Sequence, residues 1–284
     1  MKHVLITGAT GGIGKATAMS LAEMGYKVTI HGRDVEKLKA TKKEIVLQTK
    51  NSQVQTLLFD MSSLESIESA IGMFIKENPI LDVLINNAGV SPYNKIRTKN
   101  DFEMNFGVNN LATTLITRLF IPALKRSMEG RIVIVASIAY AMGTFKKDDL
   151  ELSKRSYSMM NVYGTSKLYD IYIAQQFSEM LKDEKITVNA LHPGIVKSAL
   201  FRDSKGVMKW INAISAKIFY VTPQEGAKTS VYLASSPEVK GVTGKFFSKS
   251  KEKKLQAIVY NEEYSDLIWK RVNTLLDTTG VKNA

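Results

Sequence analysis

Tyr163 and Lys167 stand four residues apart in Tyr163-Gly164-Thr165-Ser166-Lys167. On a helix, positions i and i+4 share one face. An ammonium beside a phenol favours the phenolate and draws a tyrosine pKa from about 10 toward neutrality. Such a phenol can act as a general acid or base. Ser137, in Val135-Ala136-Ser137, follows an apolar strand run and so falls where ligands bind in parallel sheets. Near the N-terminus, Thr7-Gly8-Ala9-Thr10-Gly11-Gly12-Ile13-Gly14 separates the first strand from the first helix. Glycines there let the backbone turn tightly against a pyrophosphate, and the helix N-terminus adds free N–H groups and a positive dipole end. Thr7, Gly8, Thr10, Gly12, Ile13 and Gly14 are the candidate contacts. The fixed Thr-Gly-x-x-x-Gly-x-Gly pattern is expected by chance about 0.005 times in such a chain.

The second strand should end at an adenosine ribose. An NAD site places a carboxylate there to accept from the ribose hydroxyls. This chain has His31-Gly32-Arg33-Asp34, with Gly32 at the position of that acid. Arg33 can pair with a 2′-phosphate and stack on adenine. Asp34 has two readings, as a ribose ligand or as the N-cap of the following helix; the cap is preferred, and both could hold. NADP(H) is the favoured cofactor, with NAD(H) as the alternative.

These residues need a scaffold that brings strand ends together. Strand-like runs, at Lys2–Thr7, Lys27–His31, Gln53–Phe59, Leu81–Asn86, Arg131–Ala136, Ile186–Leu191 and Gly244–Phe247, alternate with helical stretches. The helices are expected at Gly12–Met24, Asp34–Thr49, from a Ser62/Glu65 capping box to Glu77, Asp101–Asn109, Leu111–Ser127, Val162–Leu181, Pro223–Ala234 and Glu262–Leu276. Strands and helices in that order predict an α/β fold: one Rossmann-type, doubly wound parallel sheet with helices on both faces. Continuously apolar strands such as Ile132-Val133-Ile134-Val135 fit burial on both sides. With no linker or repeat, residues 1–284 read as a single dinucleotide-binding domain with a C-terminal helical extension over about 248–284.

The 284 residues carry 39 Lys and Arg against 27 Asp and Glu, a formal net charge of +12. The lysines are dispersed and lack interleaved aromatics, so they read as a solvated surface, with no nucleic-acid partner expected. Only Lys249–Lys254 is dense, and it reads as a surface loop. The absence of cysteine excludes disulfides, thiolate metal sites and a cysteine nucleophile. His3, His31 and His192 are scattered and read as packing residues; no metal site is expected. No apolar run approaches the ~18 residues of a membrane helix. A cytoplasmic protein without an integral membrane segment is the expectation.

With these residues in order, the chain resembles a classical short-chain dehydrogenase/reductase. The resemblance covers about residues 2–247. It rests on Thr7-Gly8-x-x-x-Gly12-x-Gly14, Asp60, Asn86-Asn87-Ala88-Gly89, Asn109, Ser137, Tyr163-x-x-x-Lys167 and His192-Pro193-Gly194. Within that family it is most similar to the retinol-dehydrogenase-like and WW-domain-oxidoreductase-like branch. The segments carrying this are Gly32-Arg33-Asp34, Phe106 to Leu111, Thr222 to Ala227, and Ser236-Pro237-Glu238-Val239 through Phe247.

The resemblance implies hydride transfer between a nicotinamide and a carbonyl or alcohol, often lipophilic, usually with NADPH. It implies that Tyr163 protonates the carbonyl oxygen, Lys167 binds the nicotinamide ribose, Ser137 steadies the oxygen and Asn109 holds a water linking Lys167 to solvent. It further implies Asp60 and Met61 at the adenine, and Asn86, Ala88 and Gly89 along the adenosine ribose. Pro193, Gly194, Val196 and Ser198 fall on the carboxamide and phosphate side. The polar insertion Lys146 to Met160 would cap the site mouth. The region of about 198–222 reads either as a substrate lid or as a packing or dimer surface, and a homodimer or homotetramer is open. The partner expected is a small-molecule carbonyl or alcohol. The competing reading is a catalytically silent dinucleotide-binding sensor or regulatory protein.

Overall fold

The computed structural model describes residues 1–194 and 221–278. The uninterrupted apolar runs take the middle of the sheet: β1 (His3–Ile6), β4 (Val83–Asn86) and β5 (Gly130–Val135) are buried throughout. Around them lie β2 (Lys27–Gly32), β3 (Val54–Leu58), β6 (Ile186–His192), β7 (Phe246–Ser248) and β8 (Lys251–Glu252). The order is β3-β2-β1-β4-β5-β6-β7-β8. All neighbours pair in parallel except β7 with β8. The chain runs outward from β1 to β3, then returns to β4 beside β1, so the carboxyl ends of β1 and β4 flank a crevice suited to a ligand.

Alternate residues of each strand serve opposite faces. Leu5, Leu84, Ile132 and Ile134 join the core under α3 (Leu64–Glu77), α4 (Thr113–Lys125), α5 (Met159–Met180) and α7 (Glu262–Thr278). Val4, Ile6, Val83, Ile85 and Val133 join the core under α1 (Gly12–Glu23), α2 (Val35–Thr49) and α6 (Pro223–Ser235). The doubly wound α/β architecture expected from the alternation is therefore present.

Three local expectations need correction. The helices placed at Asp101–Asn109 and Leu111–Ser127 form one continuous run, because a wide turn with i→i+5 bonding over Phe106–Ala112 leads directly into α4. Asn109-Asn110 looks like a break because asparagine is a poor helix former, but both side chains are buried. The cap of α3 is Ser63 instead of Ser62; its Oγ accepts from the Ser66 amide and donates to Glu65. The Lys249–Lys254 cluster includes β8, joined to β7 by a two-residue turn in which Lys249 and Ser250 both have positive φ, 53° and 56°. That conformation matches the twist of a hairpin, although Asn-Gly is its usual sequence.

Candidate active site

The glycine loop is held from three sides. Thr7 Oγ1 accepts the amides of Asn87 and Ala88, each at 2.9 Å, which ties the end of β1 to the end of β4. Asn87 Nδ2 donates to the Thr7 carbonyl at 2.7 Å and the Gly8 carbonyl at 3.3 Å. His31 Nδ1 accepts the Gly8 amide at 3.2 Å, and its Nε2 faces the Phe59 carbonyl at 3.1 Å. A carbonyl can only accept, so Nε2 carries the proton and Nδ1 is free to accept. Burial lowers the His31 pKa to about 4, against the Phe59 bond, which raises it.

Gly14 allows no side chain: a Cβ there would lie 2.5 Å from Asn87 Nδ2 and from the Gly8 carbonyl. Gly12, at φ +54°, behaves differently. A Cβ there would meet nothing within 4 Å, and the same holds for Gly11. The space is thus open above the start of α1, which has no side-chain cap and no acid in its first turn. Its amides are unclaimed by side chains, so the loop fits a pyrophosphate. Ile13 is half-buried beside it.

At the end of β2, a Cβ on Gly32 would come within 2.6 Å of Thr10 Cγ2. The position where an acid would meet a ribose is therefore crowded. Asp34 caps α2 by accepting the Glu36 and Lys37 amides at 3.1 Å. Those amides, the Lys37 bond first, hold its pKa below the usual carboxylate value. The cap reading of Asp34 is therefore present in the structure. Arg33 is exposed just beyond the strand. Asp60 accepts the Ser62 amide at 2.9 Å and pairs with Lys99 at 3.0 Å. Burial alone would raise its pKa, but those two partners outweigh burial and lower it. Met61 is buried next to it. The Asn86 side chain turns into the core and donates to Thr117 Oγ1 at 2.9 Å, leaving its main chain, with Ala88 and Gly89, on the loop side.

At the chemical end, Lys167 is 4 % exposed. Its Nζ donates to the Val135 carbonyl at 2.9 Å and to Asp170 Oδ2 at 2.8 Å. It lies 5.7 Å from the centroid of the Tyr163 ring. Burial disfavours the ammonium, but Asp170 and Tyr163 outweigh it and raise the Lys167 pKa. For Asp170 burial dominates, and despite Lys167 and Asn110 its pKa is raised to about 6. Gly89 packs closely against both side chains, since a Cβ there would sit 3.4 Å from both Lys167 Nζ and Asn109 Oδ1. Asn109 spans the gap between β4 and α5: its Oδ1 accepts the Val90 amide at 2.8 Å, and its Nδ2 donates to the Val90 carbonyl and to Ser166 Oγ at 3.0 Å.

Ser137 follows β5 and caps a short 3-10 turn (Ile138–Met142) through the Ala139 amide, at 3.1 Å. That turn lies hard against α5. A Cβ on Gly164 would be 2.5 Å from the Ala139 carbonyl, and one on Gly143 would be 2.5 Å from the Thr165 amide. Two glycines thus let the Ser137 turn approach the Tyr163 helix. The insertion after it is fixed by Arg155, whose Nε donates to Asp149 Oδ2 at 2.6 Å and whose Nη1 reaches Thr144 O and Thr165 Oγ1. Phe145 stacks on Tyr264 of α7, with centroids 3.9 Å apart.

The structure brings Asn109 and Lys167 together around Gly89 and places Tyr163 over the ammonium. Pro193 and Gly194 leave the end of β6, with Gly194 at φ +92°. Val196, Ser198 and nearly all of the 198–222 region lie outside the described residues. Sequence reading assigned no role to Asn87, Gly143, Gly164, Asn110 or Asp170. The doubled Asn86-Asn87 held a signal, since successive strand-end side chains point to opposite sides; the others are defined by partners distant in sequence. Burial lowers His3 and His192 to pKa values of about 4. Among the described residues no group of His, Asp or Glu could hold a metal, and no helix is long and apolar enough to cross a membrane.

Residues 2–207 match the family model of the short chain dehydrogenases. The chain is 38% identical to human retinol dehydrogenase 14 over 283 residues, covering 94% of this chain and 84% of that protein. It is 36% identical to human retinol dehydrogenase 13, covering 94% and 82%. Among solved structures, an uncharacterised Mycobacterium paratuberculosis protein superposes with a TM-score of 0.78 at 25% identity, over 98% of this chain and 94% of that one. A short chain dehydrogenase from Salmonella enterica superposes with a TM-score of 0.68 at 21% identity, over 88% and 96%, a likeness of fold. The chain belongs to the short-chain dehydrogenase/reductase family. It is an NAD(P)-dependent oxidoreductase acting on alcohol and carbonyl groups of small molecules, related to the retinol dehydrogenases.

Proposed function

We propose that the protein is an NADPH-dependent enzyme that interconverts a lipophilic aldehyde or ketone with its alcohol, using Ser137, Tyr163, Lys167 and Asn109. The observation that carries this reading is the buried Lys167 ammonium, fixed at the carboxyl end of β5 with the Tyr163 ring over it. When bound, the nicotinamide supplies or accepts the hydride. In the reducing direction, the Tyr163 hydroxyl gives its proton to the carbonyl oxygen. The Ser137 hydroxyl donates a hydrogen bond to that oxygen as negative charge grows on it. Two of the three Lys167 N–H donors are taken by Val135 and Asp170, which leaves one for a ribose hydroxyl. Lys167 also favours the phenolate left after transfer. Asn109 holds the Val90 loop to α5 and would carry the water through which the proton is restored.

Three features support NADPH: Arg33 is exposed at the end of β2, the Gly32 position is crowded, and Asp34 is engaged as a cap. Asp60, Met61, Asn86, Ala88 and Gly89 are assigned to the adenosine, and Pro193, Gly194, Val196 and Ser198 to the nicotinamide side. The names of the relatives point to retinoid-like alcohols as the first substrates to try. A single-domain enzyme located in the cytoplasm belongs to the same proposal. The test is a panel of carbonyls and alcohols of graded chain length, run with NADPH and with NADH and followed by nicotinamide absorbance. NADPH-dependent turnover that rises with chain length is expected. Equal or better kcat/KM with NADH would overturn the cofactor assignment, and turnover confined to short polar substrates would overturn the substrate class.

A further inference from the structure

Asp170 is a buried carboxylate for which the mechanism above has no use. It lies three residues beyond Lys167 on α5, and Tyr163, Lys167 and Asp170 fall at i, i+4 and i+7, one row along a single helix face. Its Oδ2 receives Lys167 Nζ at 2.8 Å and its Oδ1 receives Asn110 Nδ2 at 2.7 Å. Only 2% of the Asp170 side chain and 5% of the Lys167 side chain are exposed, so solvent screens the pair very little.

We propose that Asp170 is a positioning residue for the Lys167–Tyr163 pair: its carboxylate anchors the ammonium and offsets part of the field that the ammonium casts on the phenol. The inference rests on the reading of Tyr163 as the acid, and it deepens that reading. A lone ammonium this deeply buried would be costly, and pairing stabilises its charged form. The same pairing leaves Tyr163 beside a dipole instead of a full positive charge. The field at the phenol is therefore weaker than that of an unpaired Lys167 ammonium at the same place. Lys167 Nζ lies 5.7 Å from the Tyr163 ring centroid and 2.8 Å from Asp170 Oδ2, which places that carboxylate oxygen no more than about 8.5 Å from the ring. At an effective dielectric constant of 20, a unit charge at that distance moves a pKa by about one unit.

Lys167 is the ionised group that acts directly on Asp170. The wide turn before α4 presents the neutral amides of Asn109 and Asn110, and β5 presents the Val135 carbonyl. The 3-10 turn after Ser137 brings the Tyr140 hydroxyl, which accepts the Gln256 amide. On α7, the charged side chains of Glu263, Asp266, Arg271 and Asp277 are engaged by Lys147, Gln176, Glu151 and Arg118 respectively.

The test is an ultraviolet titration of tyrosinate in the whole protein without substrate. Subtracting the curve of Tyr163→Phe isolates Tyr163 in the wild type; subtracting that of the Tyr163→Phe/Asp170→Asn double variant isolates it in Asp170→Asn. Asp170→Asn should move the Tyr163 titration down by about one pH unit, and the Tyr-dependent limb of the kcat–pH profile should follow it. No shift, or an upward shift, overturns the proposal. If Asp170→Asn does not fold, the Asp170 carboxyl is followed by carbon NMR in wild type and in Lys167→Met. Its titration should rise once the ammonium is gone, and an unchanged titration overturns the proposal. Failure of the parent reading is distinguishable, because it would show as retained turnover in Tyr163→Phe, a result the substrate-free titration does not depend on.

Discussion

The imidazole of His31 accepts the amide of Gly8 at 3.2 Å, so a side chain at the end of β2 fixes the first glycine of the phosphate loop. Only a neutral imidazole can accept there. Burial accordingly holds His31 at a pKa of about 4, below its ordinary 6.5. Above pH 6.5 the ring is neutral whether the chain is folded or unfolded, and the stability is fully present. As pH falls from 6.5 to 4 the unfolded chain takes up the proton first, and roughly 3 kcal/mol is lost. The raised pKa values of Asp170 and Glu103 act in the opposite sense, so a variant isolates the effect better than the wild type alone. His31→Asn keeps an acceptor for Gly8 but loses the stack on Phe59, where the centroids are 3.6 Å apart. It should be less stable than wild type in urea at pH 7.5, and the gap should narrow by pH 5. A gap of constant size would show that the ring is not held neutral.

Arg33→Asp should reverse the cofactor preference. The change replaces a cation able to pair with a 2′-phosphate by an anion able to accept from ribose hydroxyls. Charge-assisted hydrogen bonds contribute about 1.5–3 kcal/mol. The kcat/KM for NADPH should therefore fall by roughly 10- to 100-fold, while that for NADH rises. Steady-state kinetics with both cofactors on one substrate is the check; an unchanged ratio would remove Arg33 from the site.

The glycine loop and the central strands were legible because their signals are local. Gly8, Gly12 and Gly14 fall within one turn of chain, and runs such as Val83-Leu84-Ile85 announce burial on both faces. What stayed hidden depends on partners far apart in sequence. His31 meets Gly8 across a strand pair, Asn87 meets Thr7 across the switch point, and Asn110 meets Asp170 between two helices. Asp170 itself reads as an ordinary i, i+3 partner of Lys167, and only burial distinguishes it from a surface pair. Ser62 and Ser63 are both good caps, and the choice between them follows from where Leu64 and Ile67 must be buried.

Tyr163→Phe removes the transferable proton but keeps the ring. Turnover should fall by at least ~10²-fold, the low end of a general acid's contribution. NADPH affinity should change little, since the glycine loop and Lys167 are intact. Lys167→Ala should damage both turnover and affinity. It also leaves Asp170 buried without its cation, so its folding must be verified by circular dichroism. The two losses should not add, because the pair works as one unit. Fluorescence titration with NADPH and kinetics across pH for each variant and the double variant would test this. Near-normal turnover in Tyr163→Phe would dismiss Tyr163 as the acid.

The Asp149–Arg155 pair gives the last prediction, on the insertion between Ser137 and Tyr163. Both side chains are almost wholly buried. Asp149 accepts the Lys154 and Arg155 amides as well as the guanidinium, which in turn bonds Thr165 on α5. Asp149→Ala would strand a buried cation, at a cost of about 3–5 kcal/mol. The melting temperature should fall by an amount on the order of 10 °C. Replacing both partners, as in Asp149→Leu with Arg155→Met, removes the stranded charge and should recover much of that loss. The pair braces the segment that meets α5 two residues from Tyr163, so the single variant should also raise the KM for the carbonyl substrate. Its NADPH affinity should stay near that of wild type, because the glycine loop is built from β1, β2 and β4. Calorimetry, together with KM values for substrate and cofactor, would separate these effects. A single variant as stable as wild type would show that the pair does not hold the insertion.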